Sequence, residues 1–486
     1  MNIVMVASEA VPFAKTGGLA DVVGTLSRAL AGAKESVTLI LPYYRKRMDA
    51  KKFGIGPVSR KPLEISVPFA GARIKGTVLG ATLKPNVKVY FIDQPAFFDR
   101  DELYQTVSGD YPDNAERFIF FSRAAIETMD ALDIKPDVVH AHDWQAAMVP
   151  VYLKTLYRQN KRFTKTRTLL TIHNLGYQGL FPKEDMPLTG LSWDYFTFDK
   201  LEFWGKVGFL KGGIAFADAI STVSKRYAEE ILGEEQGLGL STALSYRKNV
   251  LSGILNGIDY DEWSPETDTL VPANFSPKDM SGKETCKSAL RKYFKLKANG
   301  DSPIIGIVGR LTVQKGLDIF AAALPEIMKR KVQFAILGTG EQKYHDLLTS
   351  ACGDYPGRIG LKLAFDNQLA HQIEAGSDFF LMPSHYEPCG LNQMISLKYG
   401  TIPIVRATGG LDDSIDDFNA KKSLGNGFKF AEYTPEALIA AIDRALAAWK
   451  DPKQMKAVIR NAMNSDFSWK RSAKEYVELY KKMMKR

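Results

Sequence analysis

Cysteine is scarce in this chain. Cys286, Cys352 and Cys389 are the only three among 486 residues. The number is odd, the spacings are long and no C-x-x-C occurs, so neither a disulfide framework nor a zinc site is indicated. Long apolar runs are also missing: no stretch of 18 or more such residues offers a membrane span. Met1-Asn2-Ile3-Val4-Met5-Val6-Ala7 reads as a buried strand, not as a basic and then apolar leader or an Arg/Ser-rich transit stretch. The expected location is cytoplasmic, although a trimmed organellar chain would read alike. No arginine-rich tract or RNA-binding signature accompanies the net charge of +9, which fits solvated surface and small phosphates better than nucleic acid. Internal repeats and low-complexity segments are absent as well.

What remains is a globular composition, 45% hydrophobic and 24% charged. At roughly 150 residues per domain, the length asks for two large domains or about three ordinary ones. Short apolar runs alternate with helical-period segments. The runs predict strands at 3–7, 37–41, 87–92, 137–140, 168–172 and 219–223, then 304–308, 332–337, 359–364, 378–382 and 402–405. Many are near-continuous Val/Ile/Leu, as in parallel strands covered on both faces. Helices are predicted between them, at 114–132, 316–330, 367–375 and 435–448 among others. Such alternation means βαβ units and doubly wound α/β sheets. There are two sets, with a break in the polar, Pro-containing stretch 263–300 and a neck near 256–259. The expected domains are 1–255, 256–465 and a terminal helix, 466–486. In that helix Ala473, Tyr476, Val477, Tyr480 and Met484 form one apolar stripe with lysines opposite.

Doubly wound sheets bind ligands beyond the carboxyl ends of their strands, and the motifs lie on those loops. Lys15-Thr16-Gly17-Gly18-Leu19-Ala20-Asp21 joins the first strand to a helix. Its glycines let backbone N–H groups approach an anion at a helix start, and Lys15 adds a point charge, which suits a diphosphate. It is neither G-x-G-x-x-G nor a P-loop, which weighs against nicotinamide binding and ATP hydrolysis. A plain glycine turn is the competing reading. His140-Ala141-His142-Asp143-Trp144 ends another strand. Histidines two apart share a strand face and line a crevice or, with a third ligand, hold a metal; no third ligand motif is present. Carboxylate beside indole is a common sugar-binding pair, the ring covering the apolar face of a pyranose. Thr171-Ile172-His173-Asn174-Leu175-Gly176 again sets polar groups between a strand and a glycine turn.

In the second half, Gly309-Arg310-Leu311-Thr312-Val313-Gln314-Lys315-Gly316 places two cations on one loop, with no acidic neighbour within the motif. They can stabilise charge on a departing diphosphate. Glu387-Pro388-Cys389-Gly390-Leu391-Asn392-Gln393 follows a strand and precedes a helix. Glu387 can accept from sugar hydroxyls, and the amides from Gly390 onward face phosphate. Cys389 as a nucleophile is the rival, without an assignable Cys–His–Asn/Asp arrangement. Thr408-Gly409-Gly410-Leu411 echoes the first glycine turn. Asp99-Arg100-Asp101 is an Asp-x-Asp, a metal-binding triplet of one enzyme class, but chance supplies such a triplet readily.

Taken in order from the first strand to the last helix, these motifs, with Asn256-Gly257-Ile258-Asp259, resemble the bacterial glycogen synthase and plant starch synthase family. The resemblance implies a GT-B architecture: two Rossmann-like domains facing an interdomain cleft, with the C-terminal helix returning to the first. It implies retaining transfer of glucose from ADP-glucose, a substrate and not a cofactor, to the non-reducing end of an α-1,4-glucan such as glycogen. No metal and no cofactor are implied, and no nucleic-acid or membrane partner. His173, Asp143, Arg310, Lys315 and Glu387 match the catalytic set. Lys15, Gly17, Gly18, Asp21, Asn174, Asn256, Cys389, Gly390, Leu391, Asn392, Thr408 and Gly409 match donor-binding positions, and Phe365 stands where the family often stacks an aromatic ring on adenine. Asn392 departs from the Thr or Ile expected after Glu-Pro-Cys-Gly-Leu. Rival functions are a nucleotide-sugar epimerase, a catalytically dead glucan-binding protein, and a related glycosyltransferase with another acceptor. The residues do not separate ADP-glucose from UDP-glucose.

Overall fold

The structure is a computed structural model that describes residues 1–106, 109–297 and 302–485. Gly300, which ends the expected break, and Arg486, which ends the expected terminal helix, lie outside the described residues. The chain divides into two compact units. One comprises Met1–Val223, Ala228–Ile254 and the segment beginning at Trp469; the other comprises Ser224–Tyr227 and Leu255–Ser468.

Seven parallel strands form the centre of the first unit: β1 Asn2–Val6, β2 Ser36–Pro42, β3 Val87–Asp93, β4 Val138–His142, β5 Arg167–Ile172, β6 Ala219–Thr222 and β7 Leu251–Gly253. Their order is β7-β6-β5-β4-β1-β2-β3. An antiparallel ribbon of Ala72–Leu83, Leu63–Phe69 and Gly56–Pro57 extends the β3 edge, giving ten strands among the described residues. Register is fixed by burial on both faces: Val4 lies opposite Thr38 on one side and Val139 on the other, and residues Ile3, Val4, Met5 and Val6 have no exposed surface.

The second unit repeats the plan with β8 Ile304–Val308, β9 Gln333–Gly338, β10 Ile359–Leu363, β11 Phe379–Met382, β12 Ile402–Arg406 and β13 Phe428–Phe430, in the order β10-β9-β8-β11-β12-β13. All pairings are parallel. In each sheet the winding turns back next to the unit's first strand, between β1 and β4 and between β8 and β11. The loops after those strands diverge to opposite faces and leave a crevice at their carboxyl ends.

Two doubly wound parallel units are therefore what the alternating runs predicted, with each predicted strand found to within two residues at either end. The antiparallel ribbon and a three-stranded sheet of Leu180–Pro182, Lys206–Gly208 and Glu202–Phe203 did not register in the sequence. These pieces are short or half exposed, so they carry no sustained apolar run. The stretch 263–300 needs correction too. It is not merely a polar connector: Ser281–Phe294 is a 14-residue helix of the second unit. Its buried face contains Lys283 and Lys287, which hid the apolar stripe. Lys283 Nζ donates to the carbonyls of Ala375 and Tyr399 and to Thr401 Oγ1, and Lys287 Nζ lies 2.8 Å from Asp378. Trp263 stacks on His371 with ring centroids 3.7 Å apart, and Asp268 accepts from His371 and Tyr399.

The terminal helix, Trp469–Met484, belongs to the first unit and packs on the helix Gly18–Gly32. Ala473, Tyr476 and Tyr480 face inward as expected, but the last inward residue is Met483, 3% exposed, and not Met484, 38% exposed. Steps of four residues advance about 40° past a full turn each time, so two such steps from Tyr476 leave the buried face, whereas seven residues nearly restore it. Among the described residues no helix is long and apolar enough to cross a membrane.

The Lys287–Asp378 pair is nearly dry, and Asp378 also accepts from the Ile304 amide. Lys287→Ala would strand that carboxylate, whose pKa burial already raises. It should cost about 3–5 kcal/mol of unfolding free energy, read from urea denaturation. A loss below about 1 kcal/mol would show that the pair does not hold the second unit together.

Candidate active site

The β1 and β4 loops of the first unit and the β8 and β11 loops of the second carry most of the singled-out residues. After β1, the chain runs through Lys15 and Gly17 into the helix Gly18–Gly32, whose N-terminus no side chain among the described residues caps. A Cβ added at Gly17 or Gly18 would meet nothing within 4 Å, so internal packing does not demand glycine there. The open space in front of uncapped amides is what an anion needs. Lys15 Nζ lies 2.7 Å from Asp21 Oδ1, which places the ammonium at the same helix start. Asp21 is therefore a partner that orients Lys15, and burial raises its pKa against that pull.

Glu9 escaped notice in the sequence, yet it shapes this loop. It is buried, accepts from the Thr16 amide at 2.5 Å and from Thr16 Oγ1 at 2.9 Å, and also accepts from Tyr104 Oη. Burial raises its pKa, while these donors and the Gly17 amide oppose the shift. A Glu six residues before a Lys in a loop has no local signature; only the fold brings it under the turn.

The β4 loop differs from expectation at Trp144. Its indole is only 8% exposed and packs edge-on against Phe118, centroids 4.9 Å apart, and against Phe181 at 5.7 Å. It is a core residue and cannot cover a pyranose. His140 and His142 share one face, with ring centroids 4.0 Å apart, but both are wholly buried and line no crevice. His140 binds Tyr480 Oη at 2.9 Å and Thr171 Oγ1 at 2.5 Å; His142 Nδ1 lies 3.0 Å from His173 Nε2. Among the described residues no group of three His, Cys, Asp or Glu side chains is arranged to hold a metal. Asp99-Arg100-Asp101 is taken up instead by ion pairs, Arg100 with Asp113 and Asp101 with Lys46.

Asp143 sits at the crux of the first unit. Its backbone is left-handed, φ +53°, a conformation that Asp tolerates better than most residues but that still costs energy. Its carboxylate offsets that cost by accepting from the His173 amide at 2.7 Å and from the Asn174 amide. Asn174 in turn accepts from the Gly176 amide at 2.9 Å, closing the turn. Asp143 thus ties the end of β4 to the end of β5 and fixes where His173 stands, half-buried at the loop's edge. Burial pushes the Asp143 pKa up to about 7 and holds His173 down to about 3, so the imidazole is neutral.

In the second unit, Arg310 and Lys315 flank a short turn after β8, and the β11 loop brings Glu387 to them. Glu387 is buried; its Oε2 accepts from Lys315 Nζ at 2.5 Å and from Ser384 Oγ at 3.1 Å. The acidic neighbour missing from the Arg310–Lys315 motif comes from 72 residues away. Arg310 reaches Gln314 Oε1 at 3.3 Å. The turn Thr408-Gly409-Gly410 lies directly on this loop. Gly409 has φ +45° and a Cβ there would collide with the Glu387 carbonyl, so glycine is required by contact and by conformation. Gly390 and Leu391 lead into the helix Asn392–Lys398.

Several named side chains have internal duties. Asn392 Nδ2 donates to the Val308 carbonyl at 2.9 Å, pinning the β11 loop to the end of β8. Cys389 is buried against Asn256, and burial pushes its thiol up to about 12, which removes the nucleophile reading. Asn256 Oδ1 is buried without a hydrogen-bond partner among the described residues. Phe365, after β10, is 85% exposed, an open ring beside Asp366, which caps the helix Asn367–Gly376.

The raised pKa of Asp143 makes a pH-dependent contribution. Between 3.8 and about 7 the native carboxyl holds a proton that the unfolded chain has released. Stability from this group is therefore present below the lower value and falls as pH rises through the window, by up to about 1.4 kcal/mol per unit. Asp143→Asn should remove that slope, so the variant gains on the parent in urea denaturation between pH 4.5 and 7.5. Parallel profiles would show that Asp143 is not protonated in this range.

Comparison with known proteins covers both units of the chain. Residues 2–246 match the model of the starch synthase catalytic domain, and residues 290–462 match that of group 1 glycosyl transferases. A glycogen synthase of Koribacter versatilis is 47% identical over 483 residues, covering 99% of this chain and 98% of the relative. A glycogen synthase of Geotalea daltonii is 47% identical over 481 residues, with the same coverage of both chains. Among solved structures, the catalytic domain of Arabidopsis thaliana starch synthase IV, bound to ADP and acarbose, superimposes with a TM-score of 0.89 at 34% identity, covering 100% of this chain and 99% of the other.

Proposed function

Since this chain belongs to the glycogen and starch synthase family and is a glucan-building hexosyltransferase, we propose that it transfers glucose from ADP-glucose to the non-reducing end of an α-1,4-glucan with retention of configuration. The observation that carries the mechanism is the bond from Lys315 to Glu387, beside Arg310 on the β8 turn. A Lys ammonium has three N–H donors. One is spent on Glu387, which aims the other two; these and Arg310 meet the negative charge that grows on the diphosphate as the glycosidic bond breaks. Glu387 keeps an oxygen for a glucose hydroxyl. The Lys15 turn and its uncapped helix amides offer a second anion contact, and Phe365 an exposed face for adenine.

His173 and the Asp143-supported turn hold the glucose while positive charge develops at its anomeric carbon. The acceptor 4-hydroxyl attacks on the face that the diphosphate leaves, and a leaving phosphate oxygen takes its proton. No protein carboxylate is assigned as a covalent nucleophile. This reading includes a cytoplasmic location, no cofactor, and neither a nucleic-acid nor a membrane partner. An epimerase would turn over donor without acceptor, and a bare glucan binder would release no nucleoside diphosphate.

The deciding experiment offers ADP-glucose and UDP-glucose with glycogen as acceptor and follows nucleoside diphosphate release and chain growth together. Growth coupled one-to-one with ADP release is expected; release without glycogen would overturn the transferase reading. Lys315→Ala and Glu387→Gln should each lower kcat by about 10²-fold, and the double variant should fall far short of the product of the two, because they share one bond. Full additivity would separate their roles.

Cations of the chain serve the diphosphate in this scheme, so EDTA should leave the rate unchanged. Strong inhibition that Mg²⁺ reverses would assign that task to a metal.

A further inference from the structure

We infer that His142 is a positioning residue that fixes His173 as its Nδ1–H tautomer, so that His173 meets the sugar as a hydrogen-bond donor and not as a base. The inference rests on the reading of His173 as a glucose contact and adds what that contact can do. His142 has no exposed surface, and its Nδ1 lies 3.0 Å from His173 Nε2. Its other nitrogen, Nε2, is buried and has no hydrogen-bond partner among the described residues. The nearest polar ring, His140, cannot supply one: both its nitrogens are engaged, with Tyr480 Oη and with Thr171 Oγ1, itself 2.6 Å from Ser221 Oγ.

Burial keeps all three imidazoles neutral. A neutral imidazole has one N–H and one lone pair, so only one of the two facing nitrogens carries the shared proton. Were it His173 Nε2, the His142 proton would sit on Nε2, a buried N–H without an acceptor, among the rarest defects of folded proteins. With the proton on His142 Nδ1, the orphaned atom is a lone pair, the milder of the two defects. His142 Nδ1–H then donates to His173 Nε2, and the remaining proton of His173 must lie on Nδ1, which keeps no protein partner among the described residues. The terminal helix contributes at one remove: Tyr480 holds the ring of His140, against which His142 rests.

The test reads the tautomer directly. The chain has six histidines, few enough for ring-nitrogen NMR on histidine-labelled protein, assigned with His142→Asn and His173→Asn. A protonated Nδ1 and a bare Nε2 on His173 at neutral pH are expected; a protonated Nε2 overturns the inference. Kinetics supply a second readout. His142→Asn retains an N–H near the position of Nδ1, whereas His142→Phe keeps a ring and removes the donor. The Phe variant should lose about tenfold in kcat with the donor KM nearly unchanged, and the Asn variant should stay within about threefold of the parent. Equal losses in both, or none in a Phe variant with unchanged melting, sink the positioning role. If the Phe variant does not fold, the spectrum of the parent still decides. Failure of the transferase reading would appear separately, as absent nucleoside diphosphate release by the parent, since the tautomer is read without turnover.

Discussion

The reversal of strand order beside the first strand of each sheet governs everything placed upon it. Where β1 meets β4, and again where β8 meets β11, consecutive loops leave on opposite faces and the carboxyl ends stand uncovered. Helix starts and turn amides point into that gap. The Lys15 turn and Asp143 flank one reversal, Arg310 with Lys315 and Glu387 the other. The chemistry of each unit is thereby concentrated at one spot per sheet, whatever the distance in sequence.

Around each reversal a buried carboxylate performs the alignment. Glu9 gathers the amides and hydroxyl of the Lys15 turn, Asp143 gathers the His173 and Asn174 amides, and Glu387 holds Lys315. A carboxylate in a dry place is costly unless several donors converge on it. That cost is what makes the arrangement rigid: any displacement of the turn strands a charge or leaves a donor unmet. Asp143 shows the tension most plainly, combining a left-handed backbone, two amide bonds and a pKa near neutrality in one residue.

The histidine pair beneath the His173 turn extends this logic to neutral groups. Hydrogen-bonded rings from β4 and a tyrosine from the terminal helix form a buried layer behind the half-buried His173 ring. In such a layer the direction of one hydrogen bond constrains the next, because a neutral imidazole has one donor and one acceptor nitrogen.

Much of this was legible in the sequence. Near-continuous Val/Ile runs fixed the parallel strands because burial on both faces leaves no room for polar alternation, and Gly, Lys and Arg placed after those runs marked the loops at the carboxyl ends of the strands. The burial of the terminal tyrosines followed from local pattern as well. Tertiary structure alone decided the rest. Trp144 went to the core because Phe118 and Phe181 close over it; Ser281–Phe294 folded as a helix because Asp378 and backbone carbonyls await its lysines; Glu387 found Lys315 across 72 residues. Periodicity records which face of an element avoids water. Which buried charge meets which partner depends on loops that converge only once the sheets have formed, and no local pattern encodes that meeting.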